Sequence, residues 1–253
     1  KNYSDFINRL EQYQKRLDQL EVNYANHIYS VKGKLTHLND RLTYELNTTS
    51  SSFPIYYSTD KSFPSQLYST PITVDTSMHI KAVVLDSKKT VLGAIFEQEI
   101  NLHKGVGATI AIDKEPHPAY NAGGKGALIN GISGNNKRYG DREWLGFSGE
   151  DIEITIEFDK PTNINSIATR FFNGNGQWIY PPKKVTVYIN NDIRTYVADV
   201  SSTNDLTAKF AVKFESTTVT SIRLKIPSYG IIPEGKQGAG HKPWTFIDEI
   251  IIK

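Results

Sequence analysis

The sequence predicts a mainly β protein in which an N-terminal helix precedes two β-sandwiches, one immunoglobulin-like and one a jelly roll. Residues 1–24 carry apolar side chains at helical spacing. From about residue 27, short alternating segments separated by turn clusters replace that pattern. Beyond about residue 112 the alternating segments are joined by long loops, as in a jelly roll. We therefore predict three parts: a helix over 1–26, a small sandwich over 27–111 and a jelly roll over 112–253.

Composition narrows the possible functions. The chain has 253 residues, with 29 Lys and Arg against 27 Asp and Glu, which gives no case for nucleic-acid binding. No apolar run approaches the ~20 residues of a membrane span. The absence of Cys excludes disulfides, thiolate nucleophiles and Cys-ligated zinc. The 14 Tyr, 11 Phe and 3 Trp suit β packing or stacking on sugars.

The N-terminal segment predicts an amphipathic helix, with Ser4 as a candidate N-cap. A coiled coil is one interpretation, but aromatic side chains make a poor coiled-coil seam. A helix that packs against a larger domain is the better one, because such a stripe must be buried. The apolar stripe comprises Phe6, Leu10, Tyr13, Leu17, Leu20 and Tyr24.

Short strands follow in both predicted sandwiches. In the small sandwich they cover 42–46, 55–58, 72–74, 79–85 and 94–100. In the jelly roll they cover 152–158, 164–171, 184–189, 194–200, 208–214, 221–226 and 245–252. Loops over 120–149, 173–182 and 227–243 separate the jelly-roll strands, and loops of this length in a compact domain are usually functional.

Several segments, in order, resemble parts of a known enzyme family. Residues 16–24 (RLDQLEVNY) resemble the last barrel helix of family 20 glycoside hydrolases, the β-N-acetylhexosaminidases. Residues 55–60 (IYYSTD), 67–72 (LYSTPI) and 79–82 (HIKA) resemble the chitobiase/hexosaminidase C-terminal module, with Asp60-Lys61 where that pattern has Asp-Gly. The connector LHKG lies at 102–105. The motifs ALING (127–131), WLGF (144–147), QWIYPP (177–182) and PWTFIDEI (243–250) are similar to a discoidin-type, galactose-binding-like domain.

The resemblance implies the non-catalytic C-terminal part of a multidomain hexosaminidase, whose catalytic (β/α)8 barrel lies upstream. It also implies a secreted, periplasmic or cell-surface location. The expected partners are that barrel and glycans with N-acetylhexosamine or galactose. Two alternatives stay open: a structural spacer that packs on the barrel, and a free-standing lectin-like adhesion protein that oligomerises through the helix.

The family's catalytic hallmark is an adjacent Asp-Glu pair, and this chain has one at Asp248-Glu249. The pair lies inside the predicted strand 245–252, where neighbouring side chains point to opposite faces. Two such carboxylates do not address one substrate bond, so we predict no catalytic residue in this chain. None of the six His lies in a hydrolase motif.

The resemblance also implies one structural Ca²⁺ beneath the binding loops. Calcium takes about six to eight oxygen ligands. The candidates here are Asn130, Ser133 and Asn135 as neutral loop oxygens and Glu249 as the carboxylate. The family pattern usually has Asp at the position of Asn130. The alternative is that Asn130-Gly131 is only a turn and that Glu249 pairs with a loop cation.

Carbohydrate binding remains as the candidate function, because aromatic rings pack on the C–H faces of sugars and polar side chains bind their hydroxyls. The alternatives are equally concrete: each Trp belongs to the core, and the charged residues lie on solvated loops. The predicted carbohydrate-binding residues are Arg138, Tyr139, Arg142, Trp144, Asn175, Trp178 and His241.

Overall fold

The structure is a computed structural model that describes residues 2–38, 41–190, 194–201 and 205–253. It confirms the predicted fold class, a mainly β protein of sandwich sheets after one long helix. The chain forms two compact units, Lys1–Asn101 and Leu102–Lys253. The division precedes the predicted 111–112 boundary because the strand Thr109–Ile112 pairs with a strand of the second unit. Among the described residues, no helix has the length and apolarity to cross a bilayer.

The helix α1 (Tyr3–Gln19) is capped by Asn2, not by the predicted Ser4. The Asn2 side chain accepts a hydrogen bond from Ser4 N at 3.1 Å, which satisfies an amide of the first turn. Asn2 is therefore the N-cap, and the helix begins at Tyr3, about one turn before Phe6, the first apolar residue of the predicted stripe.

The buried face of α1 differs from the predicted stripe. Phe6 and Tyr13 are 51% and 57% exposed, whereas Glu11 is buried. Both Glu11 carboxylate oxygens accept hydrogen bonds, one from Ser50 Oγ and one from Ser52 Oγ. A buried carboxylate is stable only when it is hydrogen-bonded, so these two serines fix how the helix lies on the sandwich of the same unit.

That sandwich has two antiparallel sheets. One sheet contains β1 (Lys32–Leu38), β2 (Arg41–Asn47) and β5 (Ile72–Thr73), and the other contains β3 (Ile55–Ser58), β4 (Gln66–Leu67), β6 (Met78–Leu85) and β7 (Val91–Ile100). The ring of Tyr44 on β2 packs against Phe96 on β7, with centroids 6.4 Å apart. Because these strands belong to different sheets, this contact closes the core. In the Asp60-Lys61 turn, Asp60 Oδ1 accepts from Ser62 N at 2.8 Å, which stabilises the turn without a glycine.

The second unit is built on one long pair of antiparallel strands. The strands β10 (Ile152–Phe172) and β13 (Thr207–Ile226) each merge two predicted strands. Register shifts between Glu157 and Thr162 and between Ile164 and Ser166 mark the bend. The other strands are β8 (Thr109–Ile112), β9 (Leu145–Ser148), β11 (Lys184–Ile189), β12 (Arg194–Asp199), β14 (Trp244–Ile247) and β15 (Ile251–Ile252).

Both halves of β10 contribute to one core. Ile154 from the first half and Phe171 from the second are fully buried in the same apolar cluster. The sheet is continuous through hydrogen bonds, so the long strand pair must fold over to enclose that core. This folded arrangement is a β-sandwich.

The predicted last strand is interrupted. β14 ends at Ile247 and β15 begins at Ile251, so residues 248–250 lie outside the ladder. The prediction that Asp248 and Glu249 point to opposite faces of a continuous strand was therefore wrong. Both carboxylates are buried and bind the same loop.

Candidate functional site

Three loops of the second unit meet around a group of aromatic side chains. They are residues 113–144, 173–183 and 227–243, and we call the surface that they form the loop face. Tyr120 packs on Trp244 with ring centroids 5.5 Å apart, which joins the first loop to the end of the third. Trp178 and His241 stack with centroids 5.1 Å apart, which joins the second loop to the third.

The aromatic cluster has a buried layer and a partly exposed layer. The buried side chains Trp144, Phe172, Ile179 and Phe246 form the lower layer. Tyr120, Tyr139 and Trp244 pack on them and are each only partly buried. These three rings are therefore held rigidly from below, which is the support that a binding platform needs.

Trp178 has an unusual backbone conformation. Its φ of 61° and ψ of 27° lie in the left-handed region, which is rare for a bulky residue and is a feature of functional sites. The conformation is held from both sides: Trp178 O accepts from Trp244 N at 2.8 Å, and Gly238 leaves room for the indole. A Cβ on Gly238 would lie 2.6 Å from the Trp178 ring. The third loop thus packs closely against Trp178.

The structure separates the predicted carbohydrate-binding residues into four groups, of which Asn175 alone is the last. Tyr139, Trp178 and His241 lie in the loop face, where Tyr139 packs on Phe246 and Trp178 stacks with His241. Arg138 and Arg142 are exposed on either side of Tyr139 in the first loop. Trp144 is fully buried, and its Nε1 donates to Asn135 O at 3.0 Å, so its ring belongs to the core.

Asn175 is exposed, but its amide is used within its own loop. Nδ2 donates to Asn173 Oδ1 at 3.0 Å and to Ile179 O at 3.2 Å. These bonds hold the turn that presents Trp178. Asn175 thus shapes the loop, and its donor already has partners.

Two residues that the sequence analysis did not select join the loop face. His117 is exposed and lies edge-on to Trp244 at 5.2 Å, and Tyr120 contacts both Trp244 and Phe246. Nδ1 of His117 accepts from Ala119 N at 3.2 Å, so the proton of the neutral ring is on Nε2. The available signal was the His-Pro-Ala-Tyr sequence, which forms a 3-10 turn with proline in its first positions.

Asp248 and Arg170 anchor the first loop from beneath. Arg170 Nε donates to the Asp248 carboxylate at 3.1 Å, and Gly134 N donates to the same carboxylate at 2.9 Å. Arg170 also donates to Gly134 O at 2.8 Å and to Asn136 Oδ1 at 2.5 Å. Burial raises the pKa of Asp248 to about 6, although the Arg170 guanidinium acts to lower it. This pair therefore fixes the start of the segment that carries Tyr139.

Glu249 makes a parallel anchor. Its Oε1 accepts from Gly131 N at 2.8 Å and lies 2.5 Å from His103 Nε2. Since His103 Nδ1 accepts from Gly105 N at 3.1 Å, Nε2 carries the proton and donates to Glu249. The Asp-Glu pair thus ties two glycines of one loop to the end of the sheet, and neither carboxylate faces solvent.

The oxygens proposed for calcium are mostly occupied by hydrogen bonds. Asn130 Oδ1 accepts from Ile132 N and Asn135 Oδ1 accepts from Lys137 N, each at 2.8 Å. Ser133 is exposed, and Glu249 Oε2 is the one buried oxygen of the set without a partner in the part of the chain that the structure describes. Within that part there is also no cluster of three metal-binding side chains. As arranged, these residues do not fit the six to eight oxygens that calcium needs.

Glu143 is a partly buried acid beside this region. Asn130 Nδ2 donates to its Oε2 at 2.8 Å. Burial raises the pKa of Glu143 to about 7, and the nearby Asp141 and Glu249 act in the same direction, while Asn130 and Arg142 oppose them. Glu143 is therefore a carboxyl whose pKa lies near neutral pH.

Comparison with known proteins agrees with part of the predicted resemblance. Residues 37–97, in the first unit, match the sequence profile of the Chitobiase/beta-hexosaminidase C-terminal domain. No curated protein sequence matches the chain.

Solved structures similar to this chain include carbohydrate-associated proteins. One is a Ruminococcus gnavus GH29 fucosidase, at 14% identity and a TM-score of 0.34, over 58% of this chain and 25% of that one. The chain thus spans about a quarter of that enzyme. The CBM32 of AlyQ, in complex with 4,5-unsaturated mannuronic acid, matches at 16% identity and a TM-score of 0.34, over 57% of this chain and 93% of that one. The lectin domain of lectinolysin, complexed with Lewis B antigen, matches at 12% identity and a TM-score of 0.39, over 59% and 94%.

Proposed function

We propose that the second unit binds glycans through its loop face and that the chain is a non-catalytic, accessory region of a glycoside hydrolase of the β-N-acetylhexosaminidase type. The observation that carries the proposal is the layer of partly exposed rings, Tyr120, Tyr139 and Trp244, which packs on a buried floor, together with the stacked pair of Trp178 and His241. Sugars present apolar C–H faces that pack on such rings. The match of residues 37–97 to a hexosaminidase-associated domain supports the enzyme context.

The polar groups around the rings support the same function. The imidazoles of His117 and His241 contact the aromatic rings, and Arg138 and Arg142 are exposed hydrogen-bonding groups in the loop that carries Tyr139. A few placed polar groups around an aromatic surface give orientation and specificity. The ligands in this proposal carry N-acetylhexosamine or galactose, and the setting is secreted, periplasmic or cell-surface.

A second function is favoured for the first unit by a separate observation. Tyr3, Phe6, Tyr13 and Leu20 of the N-terminal segment are all more than half exposed. Exposed apolar side chains along one helix are typical of a surface that packs on a partner. We propose that the first unit acts as a spacer that packs on the catalytic barrel. A free-standing lectin would use the same face to oligomerise, and light scattering of the chain distinguishes a defined oligomer from a monomer.

The binding proposal is tested by calorimetric titration with N-acetylglucosamine, N-acetylgalactosamine, galactose and chitin oligomers. We expect saturable binding of at least one sugar, and a loss of about tenfold or more in affinity for Trp178→Ala. Tyr196→Ala is the matched control, because Tyr196 is partly buried and stacked on Phe214 at 4.7 Å on strands outside the loop face. Equal loss in both variants, or no binding by the folded wild-type chain, would contradict the proposal.

A further inference from the structure

We infer that the loop face prefers acidic glycans, those with a carboxylate on a uronic or sialic acid residue, over neutral ones. This inference rests on the proposed glycan binding and names the class of ligand for the same site. It is carried by the distribution of charge in the second unit, which is uneven although the whole chain is nearly neutral.

The three loops hold most of the excess positive charge. Residues 113–144, 173–183 and 227–243 contain eight Lys and Arg against five Asp and Glu. The rest of the second unit contains ten against eleven, so the excess is confined to the loops. The exposed loop cations include Lys125, Lys137, Arg138, Arg142, Lys236 and Lys242.

Of the five loop carboxylates, Asp113 and Asp141 accept hydrogen bonds from backbone amides, whereas Glu115 and Glu234 are exposed. Asp113 Oδ1 accepts from Glu153 N at 2.7 Å, and Asp141 accepts from Asn135 N at 2.6 Å and from Glu143 N at 3.1 Å. Glu143 accepts from Asn130 Nδ2. These contacts shape the loops and leave few acidic groups to neutralise the loop cations.

The loop cations, in contrast, form no ion pair with a carboxylate among the described residues, although the charge of Arg142 acts on Glu143. In the described part of the second unit, the ion pairs are His103–Glu249, Arg170–Asp248 and Arg223–Glu153, none of which includes a loop cation. Long cationic side chains outside such ion pairs, next to a rigid aromatic platform, are suited to an anion on the ligand. Guanidinium groups bind carboxylates through paired, charge-assisted hydrogen bonds, which are about twice as strong as neutral ones.

The position of Arg138 and Arg142 makes the inference specific. They lie on either side of Tyr139, whose ring packs on Phe246 at 5.0 Å and is held in the platform. The segment is fixed at Gly134 and Asn136 by Arg170. Two exposed arginines therefore flank, in the sequence of an anchored loop, a ring on which a sugar can stack.

The experiment compares ligands that differ only in charge. The probes are trigalacturonate against its methyl ester, and 3′-sialyllactose against lactose, titrated into the full chain at low and high salt. We expect at least one acid to bind about tenfold tighter than its neutral partner in dilute buffer, and the gap to fall to about threefold or less at high salt, where charges are screened. Equal affinities within both pairs would overturn the inference while leaving glycan binding intact. No binding of any sugar would overturn both.

A variant pair locates the effect. Arg138→Gln combined with Arg142→Gln should lower the affinity for the preferred acid about tenfold and leave that of its neutral partner within about twofold. Arg194→Gln is the control, since Arg194 is exposed, donates to Thr217 Oγ1 at 2.8 Å and lies at the end of β12 that pairs with Ile189, away from the loop that precedes Lys184. An unchanged acid preference in the double variant, or an equal loss in the control, would overturn the inference.

Discussion

Arg170 and Asp248 form a buried ion pair in which the guanidinium donates to the carboxylate through Nε, at 3.3 and 3.1 Å to the two oxygens, and through Nη2. The side chain of Asp248 is fully buried and that of Arg170 is 19% exposed. The same guanidinium holds Gly134 O, and the same carboxylate holds Gly134 N. One ion pair on the sheet thus fixes the backbone of the loop that carries Tyr139.

Replacing Arg170 should loosen that loop and destabilise the second unit. Arg170→Gln leaves Asp248 buried without its cation, which typically costs about 3–5 kcal/mol. We expect this loss at pH 8, together with new tryptic cleavage after Lys137 or Arg138. Because a protonated Asp248 needs no cation, the loss should shrink at pH 5. Urea denaturation at both pH values measures the change.

The control for this prediction is Arg223→Gln. Arg223 pairs with Glu153 at 3.1 Å, but both side chains are about one-third exposed, so the pair contributes at most about 1 kcal/mol. The Arg223 guanidinium also lies over the ring of Tyr188, as the Arg170 guanidinium lies over the ring of Trp144. If both variants lose the same stability at both pH values, the anchoring role of Arg170 is contradicted.

The raised pKa of Glu143 predicts that the second unit becomes less stable as pH rises towards 7. The pKa of Glu143 in the folded state is about 7, above its ordinary value. At pH values between the ordinary pKa and about 7, the folded state therefore binds more protons than the unfolded state. Its contribution is therefore most favourable below about pH 4 and is lost as pH rises through about 7. Glu143→Gln keeps an oxygen for Asn130 and removes the charge, so we expect a gain of about 1–3 kcal/mol at pH 8. Melting curves from pH 4.5 to 8 measure it; an unchanged pH slope would refute the role of Glu143.

Calcium should not stabilise the second unit. The oxygens of Asn130 and Asn135 are committed to backbone amides, and Glu249 is bonded to His103 and Gly131. Ligand binding to the folded state raises the melting temperature, so we expect equal melting in millimolar Ca²⁺ and in chelator. A clear rise with calcium would show that these side chains rearrange around an ion, as the family resemblance implies.

The N-terminal helix should depend on Glu11 more than on its aromatic residues. Glu11→Ala leaves Ser50 and Ser52 without their acceptor, which costs about 1–3 kcal/mol in a buried site. Tyr13→Asp changes a side chain that is 57% exposed and should cost less than about 0.5 kcal/mol. Denaturation curves that follow the unfolding of the first unit compare the two variants. A larger loss of stability for Tyr13→Asp than for Glu11→Ala would show that the aromatic stripe is the buried face.

Periodicity was enough to predict the fold class and most strands, since alternation follows directly from pleated geometry. It did not predict that β10 and β13 each run through two segments, because residues 158–161 break the alternation at the bend without ending the ladder. It also did not show that the helix buries Glu11. That burial depends on serines some forty residues away, which no local pattern reports.

The site was predicted by residue type and only partly by position. Trp178 and His241 stack and Tyr139 packs on Phe246, as expected of aromatic residues in the loops, but Trp144 is buried in the core, where its Nε1 donates to Asn135 O. The Asp-Glu pair was interpreted on a continuous strand, and the break after Ile247 turned both carboxylates towards one loop. Such a break depends on contacts between distant segments, so it lies beyond what spacing along the chain reveals.

The most direct test of the account uses the indole N–H signals of the three tryptophans in a two-dimensional NMR spectrum, recorded as an oligosaccharide that binds is added. Trp178 and Trp244 lie in the loop face, whereas the Trp144 indole is buried and bonded to Asn135 O. We predict that the signals of Trp178 and Trp244 move with a saturating profile while that of Trp144 stays in place. Saturable binding that leaves the Trp178 and Trp244 signals unmoved would place the sugar elsewhere and contradict the account.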